Sequence, residues 1–184
     1  MADPIVDRVT LTRAPLSQKP TIANLLQFYL HDFSEFSAVG TAHGEVGADG
    51  RFPYEYLDAY WQEDKRCPFT ICADGRLAGF VLINQWSALD RPLDRSVAEF
   101  FILRKYRRYR VGRRAAGLLV QRFPGRWEVP VAWYNRPALA FWRATVPALA
   151  DGPVEERVGD GRRWAGIVLA FTKLPSTRGC GEPR

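Results

Sequence analysis

The chain has 184 residues, is 47% hydrophobic and carries a formal net charge of +6. That length and apolar content suffice for one substantial core and favour a single domain, expected over 1–174. No run approaches the roughly 18 apolar residues of a membrane-spanning helix, and the opening MADPIVDRVTLTR lacks the apolar block of a signal peptide, so a cytoplasmic protein is expected.

Val6 to Leu11 alternates apolar and polar residues, as a short strand does. After Pro15 and Pro20, Thr21 can open a helix with Leu25, Leu26, Tyr29, Leu30 and Phe33 on one face. Gly40 to Gly50 is a small-residue loop, expected to be mobile. Pro53 suits a helix start, and Tyr54, Leu57, Tyr60 and Trp61 follow at helical spacing. Phe69–Ala73, an Asp74-Gly75 turn and Leu77–Trp86 read as a β-hairpin, and Val97–Leu103 as a central strand.

Ala115, Ala116, Leu119, Val120 and Phe123 form one helical face within Gly112–Phe123, which Pro124-Gly125 ends. Trp127–Tyr134 is expected as a strand and Arg136–Val146 as a helix with Pro137 in its first turn. Strands at Val154–Val158 and Arg162–Thr172 follow, joined through Gly159–Gly161, and the tail from Pro175 is expected to be disordered. This order implies an α/β domain with a mixed sheet.

Cys67, Cys72 and Cys180 form no C-x-x-C pair and are expected as reduced thiols. His31 and His43 lie in no metal-ligand pattern, and no metal site is expected. Charge is unevenly distributed. Asp32, Glu35, Glu45, Asp49, Glu55, Asp58 and Glu63 make one stretch acid-rich, whereas Arg104–Arg126 has no acid and seven of the eleven residues from Arg104 to Arg114 are Arg or Lys. One region is built to meet an anion and another a neutral or cationic group.

The basic run lies between a strand and a helix. A helix N-terminus presents free backbone N–H groups and the positive end of its dipole. Gly112 lets the backbone approach a phosphate closely, with Arg107, Arg108, Arg110 and Arg113 around it. The alternative from these residues alone is a solvated basic face.

Arg107-Arg108-Tyr109-Arg110-Val111-Gly112, after Phe100-Phe101-Ile102-Leu103, resembles the Arg/Gln-x-x-Gly-x-Gly/Ala signature of the GNAT family of N-acetyltransferases. Asn135-Arg136-Pro137-Ala138-Leu139-Ala140-Phe141-Trp142 resembles the family's Asn-x-x-Ala-x-x-Phe-Tyr segment. The pattern RKYRR…FPGRWEV…FWR is similar to that of bacterial predicted acetyltransferases, and the likeness covers nearly the whole chain.

The resemblance implies the acyl-CoA N-acyltransferase fold, with a mixed, mostly antiparallel sheet of six to seven strands and about four helices. It also implies acetyl-CoA as acyl donor and CoA as product. Arg107, Arg108, Tyr109, Arg110, Val111, Gly112 and Arg113 would wrap the pyrophosphate. Phe101, Ile102 and Leu103 would offer main-chain groups to pantetheine and thioester, with Asn135, Phe141 and Trp142 alongside. Two positions depart from the family: Arg110 replaces its first motif glycine, and Trp142 a tyrosine that often protonates the leaving thiolate. Indole N–H has no acid function near neutral pH.

The implied reaction is direct attack by an amine, which must lose a proton. Glu99, the only acid inside the expected central strand, is the candidate base, and Tyr134 a candidate proton donor to the thiolate. His31, Asp32, Glu35, Tyr54 and Tyr56 are candidate substrate contacts for a cationic amine: a small amine, a polyamine, an aminoglycoside-like compound or a peptide N-terminus. Homodimers are common in the family. Two rival readings are a coenzyme A binder without turnover and a nucleic-acid binder whose Tyr106 and Tyr109 stack on bases; the Asn135–Trp142 segment has no place in the latter.

Overall fold

Seven strands and four α-helices follow one another among the residues described by the computed structural model, 6–39 and 44–175, in the order β1 (Val9–Arg13), α1 (Lys19–Ser34), α2 (Ala59–Gln62), β2 (Cys67–Ala73), β3 (Arg76–Asn84), β4 (Arg95–Ile102), α3 (Val111–Arg122), β5 (Gly125–Ala132), α4 (Arg136–Thr145), β6 (Glu155–Val158) and β7 (Gly166–Lys173). They form one sheet ordered β1-β2-β3-β4-β5-β7-β6. All neighbouring pairs are antiparallel except β4 and β5, so the mixed, mostly antiparallel sheet implied by the sequence is observed.

Each face of the sheet is covered by apolar helix surface. On one, Ile22, Leu25 and Leu26 of α1 pack with Phe80, Leu82 and Phe101; on the other, Ala115 and Leu119 of α3 and Trp142 of α4 pack with Phe69, Ile71, Val129 and Leu169. Asp74 and Gly75 both take positive φ, as the tight turn between β2 and β3 requires.

Two irregularities shape the centre. Leu82 pairs with Glu99 but Ile83 with Val97, so Ala98 is an extra residue in β4 and the bulge directs Glu99 towards α1. The parallel pairing of β4 with β5 covers Arg95–Trp127 and Ser96–Glu128 alone; beyond it the strands separate. That junction is anchored by Glu128, only 1% exposed, whose carboxylate accepts from Ser87 Oγ (3.0 Å), the Ala88 N–H (2.8 Å) and Arg91 Nε (3.3 Å).

Several expectations need correction. The helix anticipated from Pro53 is only α2, because Tyr54 turns inward to Glu99 and residues 55–58 form turns. The last strand starts at Gly166, since Asp160 Oδ1 accepts from the N–H groups of Arg162 (2.9 Å) and Arg163 (2.7 Å) and closes a turn there. The first strand is Val9–Arg13, in register with Phe69–Ala73, rather than Val6–Leu11. Cys67 and Cys72 are unpaired. His43, Cys180, part of the Gly40–Gly50 loop and the tail after Pro175 lie outside the described residues.

Candidate functional site

Where β4 and β5 separate, a cleft of about 910 Å³ opens, lined by α1, the end of β4, the basic loop, the start of α3 and the first turns of α4. Its two ends differ in chemistry.

The basic end is built on unusual backbone. Arg108 and Arg110 have φ of 71° and 60°, in the left-handed region that a Cβ disfavours by about 1–2 kcal/mol per residue. Arg110 caps α3, whose first intrahelical bond runs from the Arg114 N–H to the Arg110 carbonyl at 3.0 Å. The amides of Val111, Gly112 and Arg113 therefore lack intrahelical partners, and all three residues line the cleft. Gly112 has a packing reason as well: a Cβ there would stand 3.2 Å from the Phe141 ring. Arg104, Arg107, Arg108, Arg110 and Arg113 complete this end, an arrangement suited to a pyrophosphate.

Asp32 holds part of that charge. Its carboxylate accepts from Arg104 (2.6 Å) and Arg107 (2.5 Å). Burial opposes its charge, but the two guanidinium groups prevail and hold the carboxyl below its ordinary range. Arg107 also donates to the Ile102 carbonyl at 2.8 Å and lies over the Phe101 ring at 5.6 Å.

The inner end is aromatic, and Glu99 lies behind it, reached through the cleft-lining Tyr29. Tyr29 Oη donates to Glu99 Oε2 at 2.5 Å and Tyr54 Oη to Oε1 at 3.0 Å. Burial pushes the Glu99 carboxyl up to about 7, against the opposing pull of the two hydroxyl donors. Burial and the neighbouring carboxylate likewise raise the phenols of Tyr29 and Tyr54, which stay protonated. A carboxylate titrating near neutrality, linked by hydrogen bond to a cleft-lining tyrosine, is equipped to accept a proton.

Among the cofactor candidates, Phe101, Ile102, Arg107, Arg108, Arg110, Val111, Gly112, Arg113, Asn135, Phe141 and Trp142 line the cleft. Asn135 also caps α4 by accepting from the Ala138 N–H. Leu103 and Tyr109 depart from expectation: the Leu103 N–H donates to the Ala78 carbonyl at 2.8 Å, which commits it to β3, and Tyr109 packs on the core. By strand alternation, the amide that faces the separated edge is that of Ile102.

Of the substrate candidates, Asp32 and Glu35 line the cleft and Tyr54 holds Glu99. His31, with a side chain 72% exposed, and Tyr56, at 59%, are not among the lining residues. Tyr134 follows β5 with its ring against Phe33 and Phe36 and is likewise not among the lining residues. Tyr106 and Tyr109, expected to stack on bases in the nucleic-acid reading, pack against the core instead.

Tyr29, Phe33, Phe36 and Arg104 line the site without having been anticipated there. At helical spacing the first two read as core positions, and no local pattern showed that a separated pair of strands would leave them facing a cleft. Arg104 was distinguishable only as one of seven basic neighbours.

A mixed seven-stranded sheet whose central strands separate beside a basic loop and a helix N-terminus is the architecture of the acyl-CoA N-acyltransferase fold. The sequence profile of the Acetyltransferase (GNAT) family matches residues 25–145, and the chain belongs to that family. No curated protein sequence matches it.

The structure resembles an acetyltransferase from Thermus thermophilus (15% identity, TM-score 0.61, covering 93% of this chain and 100% of that one). It also resembles a GNAT-family acetyltransferase from Staphylococcus aureus (9%, TM-score 0.60, 90% and 99%). A third match is a spermidine N-acetyltransferase chimera from Vibrio cholerae and hSSAT (12%, TM-score 0.52, 91% and 96%). At these identities the likeness concerns the fold. No helix among the described residues is long and apolar enough to cross a membrane.

Proposed function

We propose that the protein is an N-acetyltransferase that moves an acetyl group from acetyl-coenzyme A to a primary amine by direct attack. The observation that carries this reading is Glu99, titrating near neutrality and joined through Tyr29 to a cleft whose other end is a basic nest.

The fit to coenzyme A rests on the free amides of Val111–Arg113, the cationic side chains around them, and an aromatic and apolar wall of Phe100, Phe141 and Trp142 for the pantetheine arm. Bound there, acetyl-coenzyme A supplies the acetyl group as a thioester. The Ile102 amide, at the separated edge of β4, stabilises negative charge on the carbonyl oxygen. Tyr29 Oη receives the amine proton as its own proton passes to Glu99 Oε2, leaving a neutral nitrogen to form the new C–N bond. Tyr134, whose ring rests on the cleft-lining Phe33 and Phe36, is the proposed donor of the proton that the departing sulfur takes up. Trp142 is 5% exposed, packs edge-on against Phe100 and Phe141, and serves as wall.

Calorimetry with acetyl-coenzyme A tests the donor site. A micromolar Kd is expected, weakened about tenfold in Arg107→Ala through the loss of a charge-assisted contact, with no binding of a short single-stranded DNA. Absence of binding up to millimolar concentration would overturn the reading. Binding without thiol release for any amine would reduce the protein to a coenzyme A binder.

A further inference from the structure

We infer that the acceptor is a monocationic primary amine with an aromatic or bulky apolar body, seated on the rings of Phe33, Phe36 and Tyr134; the inference rests on the transferase reading above.

Aromatic contacts run from Tyr29, beside the proposed base, through the cleft-lining Phe33 and Phe36 to Tyr134, which adjoins them outside the lining residues. Tyr29, which holds Glu99, lies 4.7 Å from Phe33 between ring centroids. Phe33 meets Phe36 at 5.8 Å and Tyr134 at 6.4 Å, and Phe36 meets Tyr134 at 5.4 Å. These rings come from both sides of the separation, α1 with the turn that follows it and the segment after β5, and Tyr134 remains 47% exposed. An amine placed at Tyr29 would extend its body over this cluster, where an apolar group gains by leaving water and a ring gains further from edge-to-face contact.

The charge pattern disfavours the polycationic acceptors that the acid-rich stretch first suggested. Folding distributes those acids to other partners. Asp58 pairs with Lys19 at 2.7 Å, Glu63 with Arg66 at 2.7 Å, and Asp49 accepts from the Arg51 N–H. Asp32 is held by Arg104 and Arg107, and Glu35 acts on Arg104. Glu45 and Glu55 are exposed and are not among the lining residues. Among the described residues, the acids nearest the acceptor end are thus Glu35, which lines the cleft within the field of Arg104, and Glu99, which stands behind two tyrosine hydroxyls. Five arginines line the same cleft, and a second or third ammonium group would meet their field rather than a counter-charge.

The test measures thiol release from acetyl-coenzyme A by the full-length protein with 2-phenylethylamine, ethylamine, spermidine and an aminoglycoside, alongside calorimetric binding of acetyl-coenzyme A. Phenylethylamine is expected to exceed both polycations and ethylamine in kcat/KM by about tenfold or more, a ring in an apolar pocket being worth that much discrimination. Phe36→Ala and the milder Phe33→Leu should each collapse the phenylethylamine-to-ethylamine ratio towards one.

Faster turnover of spermidine or the aminoglycoside would overturn this acceptor class and leave the transferase reading standing. A ratio unchanged in both variants would likewise remove the ring cluster from the acceptor site. Bound cofactor with no amine accepted overturns the acceptor class while retaining the coenzyme site. If acetyl-coenzyme A fails to bind, both readings fall.

Discussion

Glu99 joins catalysis and stability in one side chain. If it takes the amine proton, kcat/KM should rise with pH through about 7, where burial has placed its carboxyl, and level off above. Glu99→Gln should lower kcat/KM by about 10²–10⁴-fold, the usual contribution of a positioned base, and abolish that rise. Its effect on folding should be opposite. A carboxyl titrating near 7 in the folded chain, against 4.5 ordinarily, binds its proton more tightly when folded. The stability associated with that proton is fully present below 4.5 and lost as pH rises through 7, up to about 3 kcal/mol. Thermal melts should therefore show Glu99→Gln gaining on the parent from pH 5 to pH 8. A pH-independent difference would remove the buried-base account. Glu99 was legible as a lone acid in an apolar strand. Tyr29 was not, because a tyrosine in the apolar stripe of a helix has the same spacing whether it packs in a core or reaches a carboxylate.

At the scale of elements, the loop entering α3 combines strain with positive charge. Arg110 takes the left-handed backbone that the family usually gives to glycine. Arg110→Gly should remove about 1 kcal/mol of strain and raise Tm by about 2–4 °C. It should also weaken acetyl-coenzyme A binding several-fold, since one cation lining the cleft disappears. A variant neither more stable nor weaker in binding would show that this position matters little to either property. The loop could be found from sequence because its function depends on contiguous residues: free amides, Gly112 and adjacent arginines. The segment from Pro53 misled for the opposite reason. Its helical spacing was genuine, but the Tyr54 hydroxyl, bonded to Glu99 of β4, and the burial of Tyr60 depend on residues distant in sequence. Likewise, Asp160 draws in the amides that follow it and shortens β7, a side-chain contribution that strand periodicity does not report.

For the whole molecule, the consequence follows from the break in the sheet. β4 and β5 are joined by two residue pairs near Arg95 and Ser96, and the cleft above them is walled by elements from both halves. A ligand held at once by α3, α4 and the end of β4 should act as a brace across that gap. Coenzyme A at about 100 times its Kd should stabilise the fold by about 2.7 kcal/mol, which in a chain of this size raises Tm by roughly 5–10 °C. Because the basic end is partly open to solvent, added salt should reduce the shift as the Debye length falls from about 10 Å at 0.1 M to about 3 Å at 1 M. Hydrogen exchange gives the spatial counterpart, with protection expected at Phe100–Ile102, at 111–113 and at the start of α4. Uniform protection would mean global stabilisation without a brace, and a thermal shift insensitive to salt would remove the arginines from the account of binding.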